Sequence, residues 1–275
     1  MNKIALVTGA SSGIGEATVR QLIKQKFVVY AAARRIDRMA PLAAAGAKLL
    51  PLDLTDDASI VKAMETIKTE SGRLDVLVNN AGYGSYGALE DVPLDEGRRQ
   101  FEVNVFGLAR LCQLALPMMR AQKYGKIVNV TSIGGKGGEP FGAWYHATKF
   151  AVEGLSDCLR MEMTPFGIDV IVIEPGAIRT EWGAIAHDSM LAMSGDTAYG
   201  PYARKHAKFH EGSETSNLPS PPEVVARTIG HSVRVRRPKT RYATGGGAGM
   251  FLFLRAALSD RGFDRLMWRM SQGRA

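Results

Sequence analysis

The stretch that decides the fold reads Ile4-Ala5-Leu6-Val7-Thr8-Gly9-Ala10-Ser11-Ser12-Gly13-Ile14-Gly15. An apolar run is followed by a turn rich in glycine and serine, and then by a segment in which Val19, Leu22 and Ile23 recur at helical spacing. Strand, glycine turn and helix in this order are the layout of a dinucleotide-binding βα unit. A loop without a ligand gives the same short pattern, so later motifs have to decide between the two.

The residue types of the turn suit a bound pyrophosphate. A helix N-terminus offers free N–H groups and partial positive charge to an anion. Gly9 permits a sharp turn, Gly13 lets the backbone approach the phosphate, and Gly15 lets the helix pack closely on the strand. The predicted cofactor contacts of this turn are Thr8, Gly9, Ser11, Ser12, Gly13, Ile14 and Gly15.

Length and composition predict one globular domain over residues 1–275, with 45% hydrophobic and 23% charged residues. Cys112 and Cys158 are the only cysteines, so neither a disulfide framework nor a cysteine-built zinc site is expected, and no metal site is predicted. The apolar run at Ile4 is too short for a signal peptide, and no run is long enough to span a membrane. We therefore expect a cytoplasmic protein.

The formal net charge is +8, and much of the excess lies in residues 234–241 and in the C-terminal segment. The charge could attract an anionic lipid or a nucleic acid. The preferred interpretation is a solvated rim that also draws in an anionic cofactor. No nucleic-acid motif accompanies the charge, so a nucleic-acid partner is not expected.

Strand and helix patterns alternate through residue 175. This alternation of strands that are apolar almost throughout predicts an α/β fold, a Rossmann-type doubly wound parallel sheet of about seven strands with helices on both faces. Ligands of such sheets lie beyond the carboxyl ends of the strands. The predicted strands are 4–7, 27–33, 48–52, 74–78, 126–130, 168–173 and, at the edge, 240–244, and the predicted helices include 61–69, 101–122 and 144–163.

Two positions after early strands bear on the nucleotide. Arg34 and Arg35 follow the second strand, where a cation suits the 2′-phosphate of NADP and an acidic residue would suit NAD. They could also be surface arginines that open a loop. Asp53 and Leu54 follow the third strand, where the carboxylate could accept from the adenine amino group or could cap a turn.

Small and polar residues follow the fourth strand as Asn79-Asn80-Ala81-Gly82, so Asn80, Ala81 and Gly82 are predicted to run beside the cofactor. The aromatic loop Tyr83–Gly87 comes next and is predicted to line the substrate side, although aromatic residues that cover the core would look similar. Asn104 lies in the long helix and needs a hydrogen-bond partner if it is buried.

Ser132 stands just past the fifth strand, and Tyr145 and Lys149 follow it. Residues four apart share one face of a helix, so the phenol and the ammonium can meet over a common ligand. Taken alone, a Tyr-xxx-Lys pair on a helix is a coincidence that many surface helices carry.

In combination, the motifs resemble a single-domain member of the short-chain dehydrogenase/reductase family over residues 3–185. The segment 145–155 and the Arg34-Arg35 pair are similar to the branch that contains 17β-hydroxysteroid dehydrogenase-like and retinol dehydrogenase-like enzymes. The motifs that carry the resemblance occur in the family's order, namely Thr8-Gly9-xxx-Gly13-x-Gly15, Asn79-Asn80-Ala81-Gly82, Asn104, Ser132, Tyr145-xxx-Lys149 and Pro175-Gly176.

The resemblance implies roles for these residues. Tyr145 would exchange a proton with the substrate oxygen, and Lys149 would lower the pKa of the phenol and bind the nicotinamide ribose. Ser132 would orient the substrate oxygen, and Asn104 would hold a water that links Lys149 to solvent. The loop after the sixth strand would contact the cofactor through Pro175, Gly176, Ile178 and Thr180.

Two later segments are expected near the substrate. Residues 181–218 lose clean periodicity, which predicts a lid over a bulky apolar substrate or a segment that merely packs onto the body. The aromatic and methionine side chains of this segment are Trp182, Met190, Met193, Tyr199, Tyr202 and Phe209. Residues 245–275 predict an amphipathic tail with interleaved arginines. This tail could cover the cleft, touch a membrane surface or simply dock onto the domain.

The expected function is NADP(H)-dependent interconversion of a secondary alcohol and a ketone or aldehyde. The rivals are a non-catalytic NADP-binding sensor on the same fold, and a sugar-nucleotide epimerase or dehydratase, which usually has a larger C-terminal domain. The resemblance also implies a homodimer or homotetramer. The helices predicted over 101–122 and 144–163 carry small and apolar residues on more than one face, including Ala147, Ala151, Gly154 and Cys158. One face could therefore pack on the sheet and the other on a partner subunit.

Overall fold

The computed structural model describes residues 2–216 and 218–272, without the side chains of residues 212–215. The strands found there are β1 (Ile4–Thr8), β2 (Val28–Ala33), β3 (Lys48–Pro51), β4 (Val76–Asn79), β5 (Gly125–Val130), β6 (Ile168–Pro175) and β7 (Arg241–Thr244). They form one sheet in the order β3-β2-β1-β4-β5-β6-β7, and every pairing is parallel. The predicted seven-stranded parallel sheet is confirmed, with β7 at its edge.

Helices connect the strands and cover the sheet. Three-residue 3₁₀ turns lie at Asp37–Met39, Ile133–Gly135 and Thr164–Phe166. The helices of the described residues are α1 (Gly13–Lys24), α2 (Ala40–Ala44), α3 (Asp57–Ser71), α4 (Leu94–Phe101), α5 (Gly107–Gln122), α6 (Ala143–Met163), α7 (Trp182–Ser194), α8 (Gly200–Thr215), α9 (Pro222–Arg234), α10 (Ala248–Ala257) and α11 (Asp260–Gln272).

The strands are apolar throughout because both faces of the sheet are covered. Side chains alternate across a strand, so Leu6 joins one core and its neighbour Val7 joins the other. The first core lies under α3, α5 and α6, and the second lies under α1 and α9. Helices therefore cover both faces, as the pattern predicts.

The topology places a crevice beside β1. The chain runs outward from β1 to β2 and β3, then returns to β4 on the other side and continues to β7. The loops after β1 and β4 consequently diverge at the carboxyl end of the sheet, which is where such folds bind their ligands.

Two predicted segments differ from the structure. The helix predicted over 101–122 begins earlier, as α4, and is interrupted by a π-helical turn at Glu102–Phe106 before α5. The segment 181–218, predicted without regular periodicity, contains the helices α7 and α8. Their apolar stripes are weak because both helices pack around a site and on each other rather than on the sheet.

The C-terminal segment folds back onto the domain. Phe263 of α11 is buried against Phe251 of α10 and beside Gly137. Among residues 2–216 and 218–272, no helix combines the length and the apolar character that crossing a bilayer requires. Residues 1, 217 and 273–275, which belong to the predicted domain, lid and tail, lie outside the described residues.

Candidate active site

A cleft of about 770 Å³ opens at the carboxyl ends of the central strands. Except for Thr8, Gly15 and Asn104, every residue predicted to bind a cofactor or to act on a substrate lines this cleft. The fold thus brings together side chains from the loops after β1 through β6.

Thr8 and Gly15 shape the nucleotide end of the cleft from behind. The Thr8 hydroxyl accepts hydrogen bonds from the backbone N–H groups of Asn80 and Ala81, at 3.1 and 3.0 Å, and so joins the end of β1 to the end of β4. A Cβ on Gly15 would lie 2.1 Å from the carbonyl oxygen of Gly9. Both residues support the turn, and neither is among the residues that line the cleft.

The start of α1 is suited to an anion. Gly9 and Gly13 adopt positive φ angles of +66° and +55°, which favour glycine. Ser12 precedes α1 in an extended conformation, and its side chain makes no capping hydrogen bond to the helix. The first N–H groups of the helix are therefore left for a ligand, and the turn fits the pyrophosphate of a dinucleotide.

Arginines line the same end of the cleft. Arg34 and Arg35 are exposed at the end of β2, and Arg35 donates to the Ser11 hydroxyl at 3.2 Å. Glu181 lies 3.8 Å from Arg35 and accepts hydrogen bonds from Arg38. These arginines make the end of the cleft after β2 positively charged, and the Glu181 carboxylate partly balances that charge.

The Asp53 carboxylate is committed to its own turn. Its Oδ1 accepts from the Thr55 backbone N–H at 2.9 Å and from the Thr55 hydroxyl at 2.8 Å. These hydrogen bonds lower the pKa of Asp53. Asp53 and Leu54 line the cleft, so a contact with an adenine and a turn-capping role are both compatible with this geometry.

Asn104 lies on the π-helical turn and is buried. Its Oδ1 accepts from the Tyr83 N–H at 3.1 Å, and its Nδ2 donates to the Tyr83 carbonyl at 2.9 Å and to the Thr148 hydroxyl at 3.1 Å. The amide thus clamps the loop after β4 onto α6. Gly82 lies between Asn104 and Lys149. A Cβ built on Gly82 would lie 3.0 Å from the Asn104 Oδ1 and 4.0 Å from the Lys149 Nζ.

Tyr145 and Lys149 lie on the inward face of α6. The Lys149 Nζ is 5.6 Å from the centre of the Tyr145 ring and donates to the Val130 carbonyl at 3.1 Å. Burial lowers the pKa of Lys149 to about 8. Burial raises the pKa of Tyr145 to about 12, and the adjacent Ser132 hydroxyl acts in the opposite direction. At neutral pH the pair is therefore a protonated phenol beside an ammonium.

Ser132 follows the end of β5 in an extended conformation. Its hydroxyl accepts from the Gly134 N–H at 3.0 Å at the start of a 3₁₀ turn. This contact fixes the oxygen beside Tyr145 and leaves the hydroxyl proton for a further partner.

Aromatic side chains enclose the phenol. The ring of Trp182 lies 4.9 Å from that of Tyr145, and the buried Tyr86 ring lies 5.8 Å from both. Met190, predicted in the lid, packs under this cluster, whereas Trp182 and Phe209 line the cleft itself. The hydroxyl of Tyr199 donates a hydrogen bond to Glu90, and the ring of Tyr202 packs against that of Trp268.

Sequence reasoning missed a polar group at the far end of the cleft. Glu139, His146 and His210 line this end, and His206 is buried next to His210. The spacing of His206 and His210, one helical turn apart, was a detectable signal. Glu139 comes from a distant loop, and no spacing in the sequence connects it to α8.

The C-terminal helix closes one side of the cleft. Met267 and Met270 of α11 line it, and α11 packs against α8. Of the three alternatives for the tail, the structure places it on the domain and at the cleft.

Comparison with known proteins shows which family this chain is similar to. A family model described as short chain dehydrogenase matches residues 3–189. A probable short-chain type dehydrogenase/reductase, VdlC, from Helicobacter pylori is 33% identical over 98% of both chains. The NADPH-dependent 3-dehydrocapnine reductase of Ornithobacterium rhinotracheale is also 33% identical, over 97% of this chain and 96% of its own. A crystal structure of a short-chain dehydrogenase from Streptomyces avermitilis is similar with a TM-score of 0.80 and 35% identity, covering 92% of this chain and 91% of that one.

Proposed function

This chain belongs to the short-chain dehydrogenase/reductase family of NAD(P)-dependent oxidoreductases, and we propose that it interconverts an alcohol with the corresponding ketone or aldehyde by using NADP(H). The observation that carries the proposal is the convergence of Ser132, Tyr145 and Lys149 on one cleft beside the nucleotide turn. The lining of the cleft runs from the arginines after β2 to the methionines of α11, so a nucleotide would bind at one end and a substrate at the other.

In the reduction direction, the cofactor supplies the hydride. Tyr145 donates its proton to the carbonyl oxygen, and Ser132 holds that oxygen by a hydrogen bond. The ammonium of Lys149 favours the phenolate that results, because an opposite charge nearby stabilises it. Asn104 positions the loop after β4 and α6 relative to each other. The oxidation direction uses the same groups in reverse.

We propose NADP rather than NAD as the cofactor. Arg34 and Arg35 occupy the positions at the end of β2 where an acidic residue would suit an unphosphorylated ribose. A relative that matches nearly the whole chain carries the name NADPH-dependent reductase, which agrees with this preference.

The substrate is proposed to be bulky and apolar. Trp182, Phe209, Phe251, Met267 and Met270 line the end of the cleft away from the arginines. Residues 181–218 would then serve as the lid and residues 245–275 as a wall. The similarity to the 17β-hydroxysteroid and retinol dehydrogenase-like branch also remains a prediction, and such substrates would fit this apolar lining.

The test is to assay a panel of ketones, aldehydes and secondary alcohols as substrates and to measure the change in NADPH absorbance with each. An oxidoreductase changes this absorbance with at least one apolar member of the panel. A sensor binds NADPH without turnover, and an epimerase or dehydratase produces no net change in the cofactor. Binding of NADPH without any turnover across the panel would favour the sensor.

We propose that the protein is cytoplasmic and that its partner is a small molecule that the cleft accommodates. Cys112 and Cys158 are free thiols in helices, which agrees with a reducing compartment. A cell-fractionation experiment with the full chain tests this location.

A further inference from the structure

Three potential metal ligands meet at the far end of the cleft. Glu139 comes from the loop before α6, while His206 and His210 lie one turn apart on α8 and therefore share a face. Among the described residues, Glu139 Oε2, His206 Nε2 and His210 Nε2 form a group whose ligand atoms all lie close together.

The distances between these atoms suit a metal ion. The two Nε2 atoms are 3.1 Å apart, and the Glu139 Oε2 lies 4.0 Å from His206 and 3.5 Å from His210. The circle through three atoms at these separations has a radius of about 2.1 Å, which is the usual length of a zinc–nitrogen or zinc–oxygen bond. A single ion at its centre would touch all three atoms.

Neighbouring groups hold the carboxylate in place. The Tyr86 hydroxyl donates to the other oxygen of Glu139, Oε1, at 2.7 Å and leaves Oε2 directed at the histidines. His146 accepts from the Glu139 backbone N–H through Nε2, and its Nδ1 lies 2.8 Å from the Gly134 carbonyl. Both ring nitrogens of His146 are thus engaged, and this histidine supports the loop without being a ligand. Hydrogen bonds of this kind orient the ligands of known metal sites.

The group also has an accessible side. His206 is only 1% exposed, whereas Glu139 and His210 line the cleft. An ion bound here would keep a coordination position open toward the substrate end, as three-ligand zinc sites do.

We propose that Glu139, His206 and His210 bind a divalent ion of the zinc type, with the open position facing the cleft. Two imidazoles and one carboxylate are a donor set that zinc accepts. No metal site is predicted from the sequence, where only cysteine ligands were weighed, and the proposed site departs from that prediction. The site would also tie α8 to the body of the domain, and it is independent of the proposed hydride transfer.

The alternative is a hydrogen-bonded cluster with no ion. In that case hydrogen bonds alone hold the two histidines and Glu139 together, and the protein has no specific affinity for Zn²⁺. The two alternatives are separated by a titration of the full-length protein with Zn²⁺, after chelator treatment and dialysis have removed bound metal. Calorimetry measures the binding, and Co²⁺ serves as a spectroscopic probe in a parallel titration.

The proposal expects one Zn²⁺ per chain with a dissociation constant of about 1 µM or below. It also expects the intense visible absorption of four-coordinate Co²⁺. The double variant His206→Gln/His210→Gln and the isosteric Glu139→Gln should each bind Zn²⁺ at least about a hundredfold more weakly, and Tyr86→Phe about tenfold more weakly. The control His231→Gln, an exposed histidine on α9, should bind like the wild type.

Three results would overturn the proposal. The first is no Zn²⁺ binding by the wild type at about 100 µM, and the second is wild-type affinity in the double variant. If the double variant does not fold, as circular dichroism will show, wild-type affinity in Glu139→Gln overturns it instead. None of these results affects the turnover assay, so the metal site and the proposed function fail separately.

Discussion

Lys149 is a partly buried cation, and its position opposes folding. The pKa of Lys149 is about 8 in the folded protein, below the usual 10.5, because burial disfavours the charged form. Its Nζ is held by the Val130 carbonyl beside the Tyr145 ring. The fold therefore accepts an unfavourable charge at the point where the proposed chemistry needs one.

Replacing Lys149 by Met should separate stability from activity. Below pH 8 the ammonium is charged in both states and the burial cost is complete, whereas above pH 10.5 it is charged in neither. The unfolding free energy of the wild type, relative to Lys149→Met, should thus rise by about 3 kcal/mol between these pH values. Turnover by the variant should fall at least about a hundredfold. Urea unfolding at a series of pH values measures the first effect.

The exposed Lys62→Met is the matched control, and its difference from the wild type should not vary in this way. A difference in unfolding free energy between the wild type and Lys149→Met that stays constant from pH 7 to pH 11 would contradict the lowered pKa of this ammonium.

Arg34 should set the cofactor preference. A charge-assisted contact between its guanidinium and the 2′-phosphate favours NADPH by about 1.5–3 kcal/mol. Arg34→Ala should therefore lower kcat/KM for NADPH by at least about tenfold and leave the value for NADH nearly unchanged. Arg98→Ala, which removes an exposed ion pair on α4, is the control. Equal use of both cofactors by the wild type, or better use of NADH, would refute the preference.

Single residues were predictable where a short motif carries their chemistry. The spacing of Tyr145 and Lys149 required a shared helix face, and the structure has both at the cleft. The turn-capping alternative for Asp53 agrees with its hydrogen bonds from Thr55. The partners of Asn104 were not predictable, because Tyr83 and Thr148 lie 21 and 44 residues away in the chain. Glu139 was missed because its partners lie far away in the chain.

The turn between β1 and α1 is the element that tolerates least change. A Cβ on Gly15 would meet the backbone of Gly9 at 2.1 Å, and backbone cannot move aside as a flexible side chain can. Gly15→Ala should lower the unfolding free energy by about 2–3 kcal/mol and weaken NADPH binding at least tenfold. Urea unfolding and fluorescence titration with NADPH measure the two effects.

Gly249→Ala is the matched control, because nothing lies within 4 Å of its Cβ position in the exposed start of α10. This change should raise the unfolding free energy by about 0.5–1 kcal/mol. If Gly15→Ala behaves like Gly249→Ala, the close packing of α1 on the glycine turn is wrong.

Elements were predictable in proportion to their burial against the sheet. Strands such as β1 and β6 are apolar on both faces, so their existence followed from composition, with ends displaced by one or two residues. Helices α7 and α8 were missed because α8 in particular is largely polar and packs on other helices. The π-helical turn before α5 has no pattern in a single sequence that would reveal it.

At the scale of the whole molecule, α6 has two faces. Its inward face carries the site, and its outward face exposes Ala147, Phe150, Gly154, Cys158 and Met161. Small and apolar residues on an open helix face suit packing against a second copy of the chain. The homodimer or homotetramer stays a prediction, and this face of α6 is the surface that would form it.

The oligomer is testable at Gly154, whose Cβ position has nothing within 4 Å. Gly154→Arg should therefore leave the monomer fold intact and reduce the mass measured by light scattering during size exclusion. Gly249→Arg, at a site equally free of near neighbours, should keep the wild-type mass. A monomeric wild type at about 10 µM, or a variant of unchanged mass, would contradict this interface.

The most direct test of the central claim is turnover by Tyr145→Phe with a ketone that the wild type reduces. The change removes one hydroxyl from a side chain that is otherwise held by Trp182 and Tyr86. We predict that the dissociation constant for NADPH stays within about threefold, while kcat falls at least about a hundredfold because the carbonyl oxygen loses its proton donor. A variant that keeps more than about a tenth of the wild-type kcat would show that Tyr145 does not carry the chemistry.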